Sequence, residues 1–128
     1  MIAVDTSALM AILLSEDDAD ACEAVLETED RLLISAGTLA EAMIVAARRN
    51  LTDEMIQLIE GLAFEVVSVT PAAARRVAAV YGQWGKGIHR AGLNLGDCFA
   101  YEVAKANACP LLYVGKDFLH TDIVSALI

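Results

Sequence analysis

Along the chain, short runs of consecutive apolar residues alternate with longer stretches in which apolar positions recur every three or four residues. The first pattern predicts strands covered on both faces, the second helices with one buried stripe. MIAV at 1–4 is an apolar run ending at Asp5, followed by a helix from about Ser7 that Thr6 or Ser7 caps. In SEDDADACEAVLETED, Ala19, Cys22, Val25 and Leu26 keep helical spacing while carboxylates fill the opposite face, which predicts a solvated outer helix. RLLIS is the second strand. GTLAEAMIVAARRN predicts a helix in which Thr38 and Glu41 have capping-box spacing, arginines occupy the last turn and Asn50 is the stop. TDEMIQLIEGL adds a helix. FEVVSVT is a β-branched strand ending at Thr70, which caps a further helix with Pro71 at its first position. After Tyr81 the periodicity gives way to a glycine-rich basic loop, GQWGKGIHRAGLNLG, and a helix from Asp97 follows. PLLYVG is another buried strand, and KDFLHTDIVSALI closes the domain. Short buried strands joined through helices imply an α/β fold with a mainly parallel, covered sheet and right-handed crossovers.

The 128 residues fit one domain, 1–128, large enough for a real core. A hydrophobic content of 57% agrees with elements buried on more than one face. The apolar opening carries Asp5 and lacks a basic start, and no run reaches the length of a membrane span, so a soluble cytoplasmic protein is expected. Cys22, Cys98 and Cys109 are odd in number, with no CxxC pair, which predicts free thiols rather than disulfides or zinc ligands. The net charge of −9 argues against a nucleic-acid partner until its distribution is considered. Residues 1–64 hold three Arg against thirteen acids, whereas 70–116 hold six Lys and Arg against two acids, Asp97 and Glu102.

In parallel sheets, ligands gather at the carboxyl ends of the strands, where helix N-termini also point. Asp5 follows strand one, Glu41 lies early in the helix after strand two, Asp97 stands at a helix start, and Asp117 follows PLLYVG. The topology therefore predicts all four on one edge. Taken singly, Glu41, Asp97 and Asp117 have ordinary explanations as cap or turn residues. Asp5, an ionisable residue ending a buried strand, is harder to place for stability alone. Two carboxylates about 4 Å apart repel by roughly 4 kcal/mol at an effective dielectric near 20, so a cluster calls for protonation or a cation. Oxygen-only donors favour Mg2+ or Mn2+ over zinc.

VDTSAL at the start, TLAEA at 38–42, GLNLGDCFAYEVAK at 92–105 and PLLYVGKDFLHTDI at 110–123 closely resemble the PIN-domain ribonucleases, specifically the VapC-type toxins of bacterial toxin–antitoxin pairs. The resemblance covers nearly the whole chain. It implies a three-layer α/β/α sandwich and a metal-dependent RNA endonuclease whose acidic quartet matches Asp5, Glu41, Asp97 and Asp117. Asp5 and Asp97 are the expected direct ligands of Mg2+ or Mn2+. Thr6, with Ser7 beside it, and Asn94 match polar positions expected to meet substrate. A VapB-type antitoxin and a homodimer are the implied partners, with LMAILL and MIVAA as interface candidates or plain core. The chain departs from many relatives in reading Gly115-Lys116-Asp117-Phe118, with no acidic neighbour beside the fourth acid. Asp122 is expected to support the site from behind or to cap the start of a final strand.

The loop GKGIHRAGLN precedes Asp97 directly, so Lys86, His89 and Arg90 are candidates to hold the RNA backbone, and glycine lets backbone N–H groups approach phosphate. His120 is read as a surface residue. A receiver-type phosphotransfer domain also collects acids at a sheet edge, but it needs an acid two residues after the first, where Ser7 stands. A catalytically silent scaffold that only binds an antitoxin is the alternative from another class.

Overall fold

The computed structural model describes residues 1–127, and Ile128, the last residue of the closing segment, lies outside them. The chain runs β1 (Ile2–Val4), α1 (Thr6–Leu13), α2 (Ala19–Thr28), β2 (Leu32–Ser35), α3 (Ala36–Arg48), α4 (Thr52–Leu62), β3 (Glu65–Val67), α5 (Pro71–Trp84), α6 (Leu95–Ala106) and β4 (Leu111–Leu112). The strands form one parallel sheet in the order β3-β2-β1-β4. β1 is central, with Ala3 opposite both Leu33 and Leu111.

Alternation along the strands divides the core in two. Ile2, Val4, Leu32, Ile34 and Leu112 face a layer containing α1 to α4, where Leu9, Cys22, Ala42, Ala46 and Met55 are buried. Ala3, Leu33, Leu111 and Tyr113 face the other way, onto Val77 and Val80 of α5 and Cys98, Tyr101 and Val103 of α6. This is the expected three-layer α/β/α arrangement. The three cysteines are free, with Cys22 and Cys98 buried. No helix among the described residues is long and apolar enough to cross a membrane.

Several expected boundaries shift, each for a local reason. α1 is capped by Asp5 itself, whose side chain accepts from the Ser7 N–H, rather than by Thr6 or Ser7. α3 starts earlier than the capping-box spacing suggests, because Ser35 caps it through the Gly37 N–H. Thr38 is therefore a fully buried helical residue, and Glu41 is free for another partner. α5 is capped by Thr70 with Pro71 in the first turn, as predicted, but continues to Trp84 instead of breaking after Tyr81. α6 begins at Leu95 rather than Asp97, with Asn94 as its cap. β4 is only two residues long, and after Asp122 the chain makes a single bridge, Leu111 to Ser125, in place of a final strand. In LMAILL, Leu9 and Met10 are buried in the core on the α1 side and Ile12, Leu13 and Leu14 are half-buried against it, whereas Ile44 of MIVAA is 56% exposed.

Candidate active site

Asp5 occupies the junction of β1 and α1. One carboxylate oxygen, Oδ2, accepts from the Ser7 N–H at 3.1 Å and from the Ser7 hydroxyl at 2.6 Å. The same hydroxyl accepts from the Val114 N–H at 3.0 Å, tying the ends of β1 and β4 together. The other oxygen, Oδ1, is buried without a hydrogen-bond partner. An anion left half unsatisfied in a buried position is costly unless something else supplies the missing interaction.

Thr6 turns the opposite way. Its hydroxyl donates to Glu41 Oε1 at 2.6 Å, linking α1 to α3. The Glu41 carboxylate lies against the first turn of α6 over Gly96, where an added β-carbon would collide with it. One turn earlier on α3, Gly37 receives the ring of Phe99 in the same way. The pairs Gly37 with Phe99 and Glu41 with Gly96 thus let α3 and α6 cross closely enough to bring Glu41 to the acidic edge.

Asp97 is the third residue of α6 and closes a full capping box. Asn94 accepts from the Asp97 N–H at 2.8 Å, and Asp97 Oδ2 accepts from the Asn94 N–H at 3.1 Å. Asp97 is nevertheless buried, which an ordinary first-turn acid is not. Asp117 follows β4 on an exposed turn at the rim.

Burial is the main force raising both buried acids. Asp5 is pushed up to about 6, opposed by the Ser7 hydrogen bonds and reinforced by the charges of Glu41 and Asp117. Asp97 is pushed up to about 7 by burial, with Asp5, Asp117 and Glu41 adding to it and the Asn94 N–H opposing. Glu41 and Asp117 are thus close enough to add to the cost of ionising Asp5 and Asp97. They form an open constellation: among the described residues, no three His, Cys, Asp or Glu side chains close into a cage. A hard cation such as Mg2+ suits that arrangement, because it keeps several waters and takes only one or two protein carboxylates. The unpartnered Asp5 Oδ1 and the all-oxygen donor set fit such an ion.

The remaining predicted site residues are placed as follows. Thr6, Ser7 and Asn94 spend their side chains on Glu41, Asp5 and the Asp97 N–H, so their present bonds orient the acids. Lys86 and Arg90 are exposed, on a loop closed at its base by Lys86 N–H to Leu93 O and Leu93 N–H to Trp84 O, both 3.0 Å. His89 is half-buried, edge-on to the Trp84 ring with centroids 4.8 Å apart. Asp122 makes no hydrogen bond to the acids; it accepts from the Tyr101 hydroxyl and from Lys105 Nζ, further along α6. Sequence reasoning missed Gly96, Tyr101 and Trp84. A glycine immediately before Asp97 is the visible signal for the first.

The acids at the carboxyl edge of a four-stranded parallel sheet define a class, and comparison with known proteins agrees. The PIN domain model matches residues 2–124, and the chain belongs to the PIN domain family. It is similar to Ribonuclease VapC30 of Mycobacterium tuberculosis, 42% identical over 125 residues and covering 95% of each chain. Ribonuclease VapC28 of the same organism is 41% identical over 128 residues, covering 97% of this chain and 96% of the relative. Among solved structures, Mycobacterium tuberculosis VapC20, described as a sarcin-ricin loop cleaving toxin, matches all of both chains with a TM-score of 0.79 at 15% identity. A toxin–antitoxin complex from Klebsiella pneumoniae matches with a TM-score of 0.73 at 19% identity, covering 98% of both chains. At those identities the structural matches speak for the fold, and the VapC ribonucleases at higher identity carry the family resemblance read from the four motifs.

Proposed function

We propose that this chain is an endoribonuclease dependent on Mg2+ or Mn2+, acting in the cytoplasm as the toxin of a toxin–antitoxin pair. The observation that carries it is the gathering of Asp5, Glu41, Asp97 and Asp117, from four separate motifs, with Asp5 Oδ1 buried and unpartnered. A bound Mg2+ or Mn2+ supplies a water acidified for attack on phosphorus and positive charge against the phosphate oxygens. Asp5 and Asp97 are the residues that hold it. Ser7 fixes the Asp5 carboxylate by occupying Oδ2, which leaves Oδ1 without a partner. Glu41, held by Thr6, and Asp117 at the rim orient water around the site. Asn94 sets the first turn of α6 and with it the position of Asp97. Lys86 and Arg90 meet the RNA backbone beside the acids.

The names of its relatives and the Klebsiella pneumoniae complex support a VapB-type antitoxin as partner. A homodimer fits the exposed apolar residues Ile44 and Leu95, which flank Glu41 and Gly96. Incubation of a mixed RNA pool with the purified protein, with Mg2+ or with chelator, tests the enzymatic reading. Cleavage that requires the metal supports it. An intact pool under both conditions, from protein that still captures an antitoxin, favours the silent scaffold.

A further inference from the structure

A chain of contacts centred on the buried Tyr101 runs from the half-buried Trp84 to the exposed Asp122, beside the acidic edge without touching it. The Trp84 indole N–H donates to the Tyr101 hydroxyl at 3.1 Å, and that hydroxyl donates to Asp122 Oδ1 at 2.5 Å. Tyr101 is 5% exposed and lies one helical turn beyond Asp97 on α6, so the two share a face. Trp84 is the last residue of α5 and the root of the basic loop: its carbonyl accepts from Leu93, and its ring receives His89 edge-on. His89 is held in turn by the Ala91 N–H, which donates to Nδ1 at 3.0 Å. The loop between is braced internally by Ile88 and His89 N–H groups, which both donate to Gly85 O. Burial and the neighbouring Asp122 hold the Tyr101 phenol protonated, as a donor needs to be.

We propose that Tyr101, anchored by Asp122, is a positioning residue that fixes the basic loop, through Trp84, at a set distance from Asp97, so that RNA held by Lys86 and Arg90 lies in register with the acids. The proposal rests on the RNA-cleaving reading above. Asp122 then supports the site through the loop rather than through the acids. Lys105, which pairs with Asp122 at the surface at 3.0 Å, lies outside the chain of contacts and provides a control.

The test uses the full chain and three variants: Tyr101→Phe, which keeps the ring and removes the hydroxyl; Asp122→Ala; and Lys105→Met. Trp84 is the only tryptophan, so its emission reports the contact directly. In Tyr101→Phe and Asp122→Ala, amide hydrogen exchange over 85–93 quickens and Trp84 emission changes. KM for RNA rises by about fivefold, as expected when the loosened loop loses about one hydrogen bond's worth of support, and kcat stays within about twofold. Lys105→Met matches wild type in every readout. Unchanged exchange over 85–93 in both relay variants overturns the proposal. So does quickened exchange with unchanged KM, or a fall in kcat at constant KM, which places the damage at Asp97 instead. If the wild-type chain cuts no RNA with Mg2+, the functional reading fails, and unchanged loop exchange would remove the relay separately.

Discussion

The Glu41 carboxylate rests on the backbone of Gly96, in space that any side chain at 96 would fill. Thr6 holds that carboxylate from the other side at 2.6 Å. An acid on α3 therefore reaches the N-terminus of α6 only because residue 96 has no β-carbon. Gly96→Ala is expected to displace Glu41 and lower cleavage by about 10- to 100-fold, the scale for misplacing a group beside the chemistry. Gly82→Ala, in an α5 position open to solvent, is the control. It should leave activity unchanged and raise stability by about 0.5–1 kcal/mol. Steady-state cleavage and thermal denaturation of the two variants check both outcomes.

The raised acids make a prediction about pH. Asp5 near 6 and Asp97 near 7 bind protons more tightly in the folded chain than in the unfolded one, where the ordinary value is 3.8. Stability of the metal-free protein is therefore greatest below pH 4 as far as these two groups contribute, and is lost as pH rises through 6 and 7. Each tenfold change in proton affinity is worth about 1.4 kcal/mol. Because Asp97 lies nearer the surface than Asp5, the pair together contributes on the order of 3 kcal/mol after screening. In chelator, thermal melts from pH 5 to pH 8 should fall, and Asp97→Asn should flatten that fall while keeping the protein folded. Mg2+ should stabilise wild type more at pH 8 than at pH 5, since it binds the ionised acids of the folded state. A wild-type melt that rises from pH 5 to pH 8 without metal would contradict the assignment.

Lys86 and Arg90 stand exposed on a loop fixed at its base, in a protein whose other surfaces are mostly acidic. Removing either cation should weaken binding to all RNA sequences alike. It should also reduce the slope of log affinity against log salt by about 0.7 for each phosphate that is no longer neutralised on a single strand. Affinity for Mg2+ should stay the same. Binding titrations of Arg90→Ala and Lys86→Ala, singly and together, over a range of salt check this, and wild-type behaviour throughout would remove the loop as a phosphate track.

The fold is legible in the sequence wherever local pattern and tertiary burial agree. Ile2 and Val4 against Ala3, and Leu32 and Ile34 against Leu33, alternate between the two halves of the core, and both faces are apolar because both are covered. The acidic edge is legible for the same reason, since parallel topology places the ends of β1, β2 and β4 together. Details that depend on residues distant along the chain are not. Thr38 and Glu41 have capping spacing, yet Ser35 wins the cap, and Glu41 instead answers to Thr6 and Gly96. Helix α5 runs through Gly82 to Trp84 because Trp84 is held by Tyr101, a partner no local window contains. Asp97 reads as a first-turn acid and is one; only the structure shows it to be a capping-box residue raised first by burial and then by three other carboxylates.

The central claim, that Asp5 and Asp97 hold the metal on which hydrolysis depends, is tested most directly by single-turnover cleavage of RNA across a Mg2+ titration. Wild type, Asp5→Asn and Asp97→Asn are compared, with Mg2+ affinity measured on the same preparations by calorimetry. Both variants should remain folded, bind Mg2+ more weakly and show no cleavage at saturating metal. Wild-type turnover by either variant at saturating Mg2+, or wild-type cleavage undiminished in chelator, would contradict it.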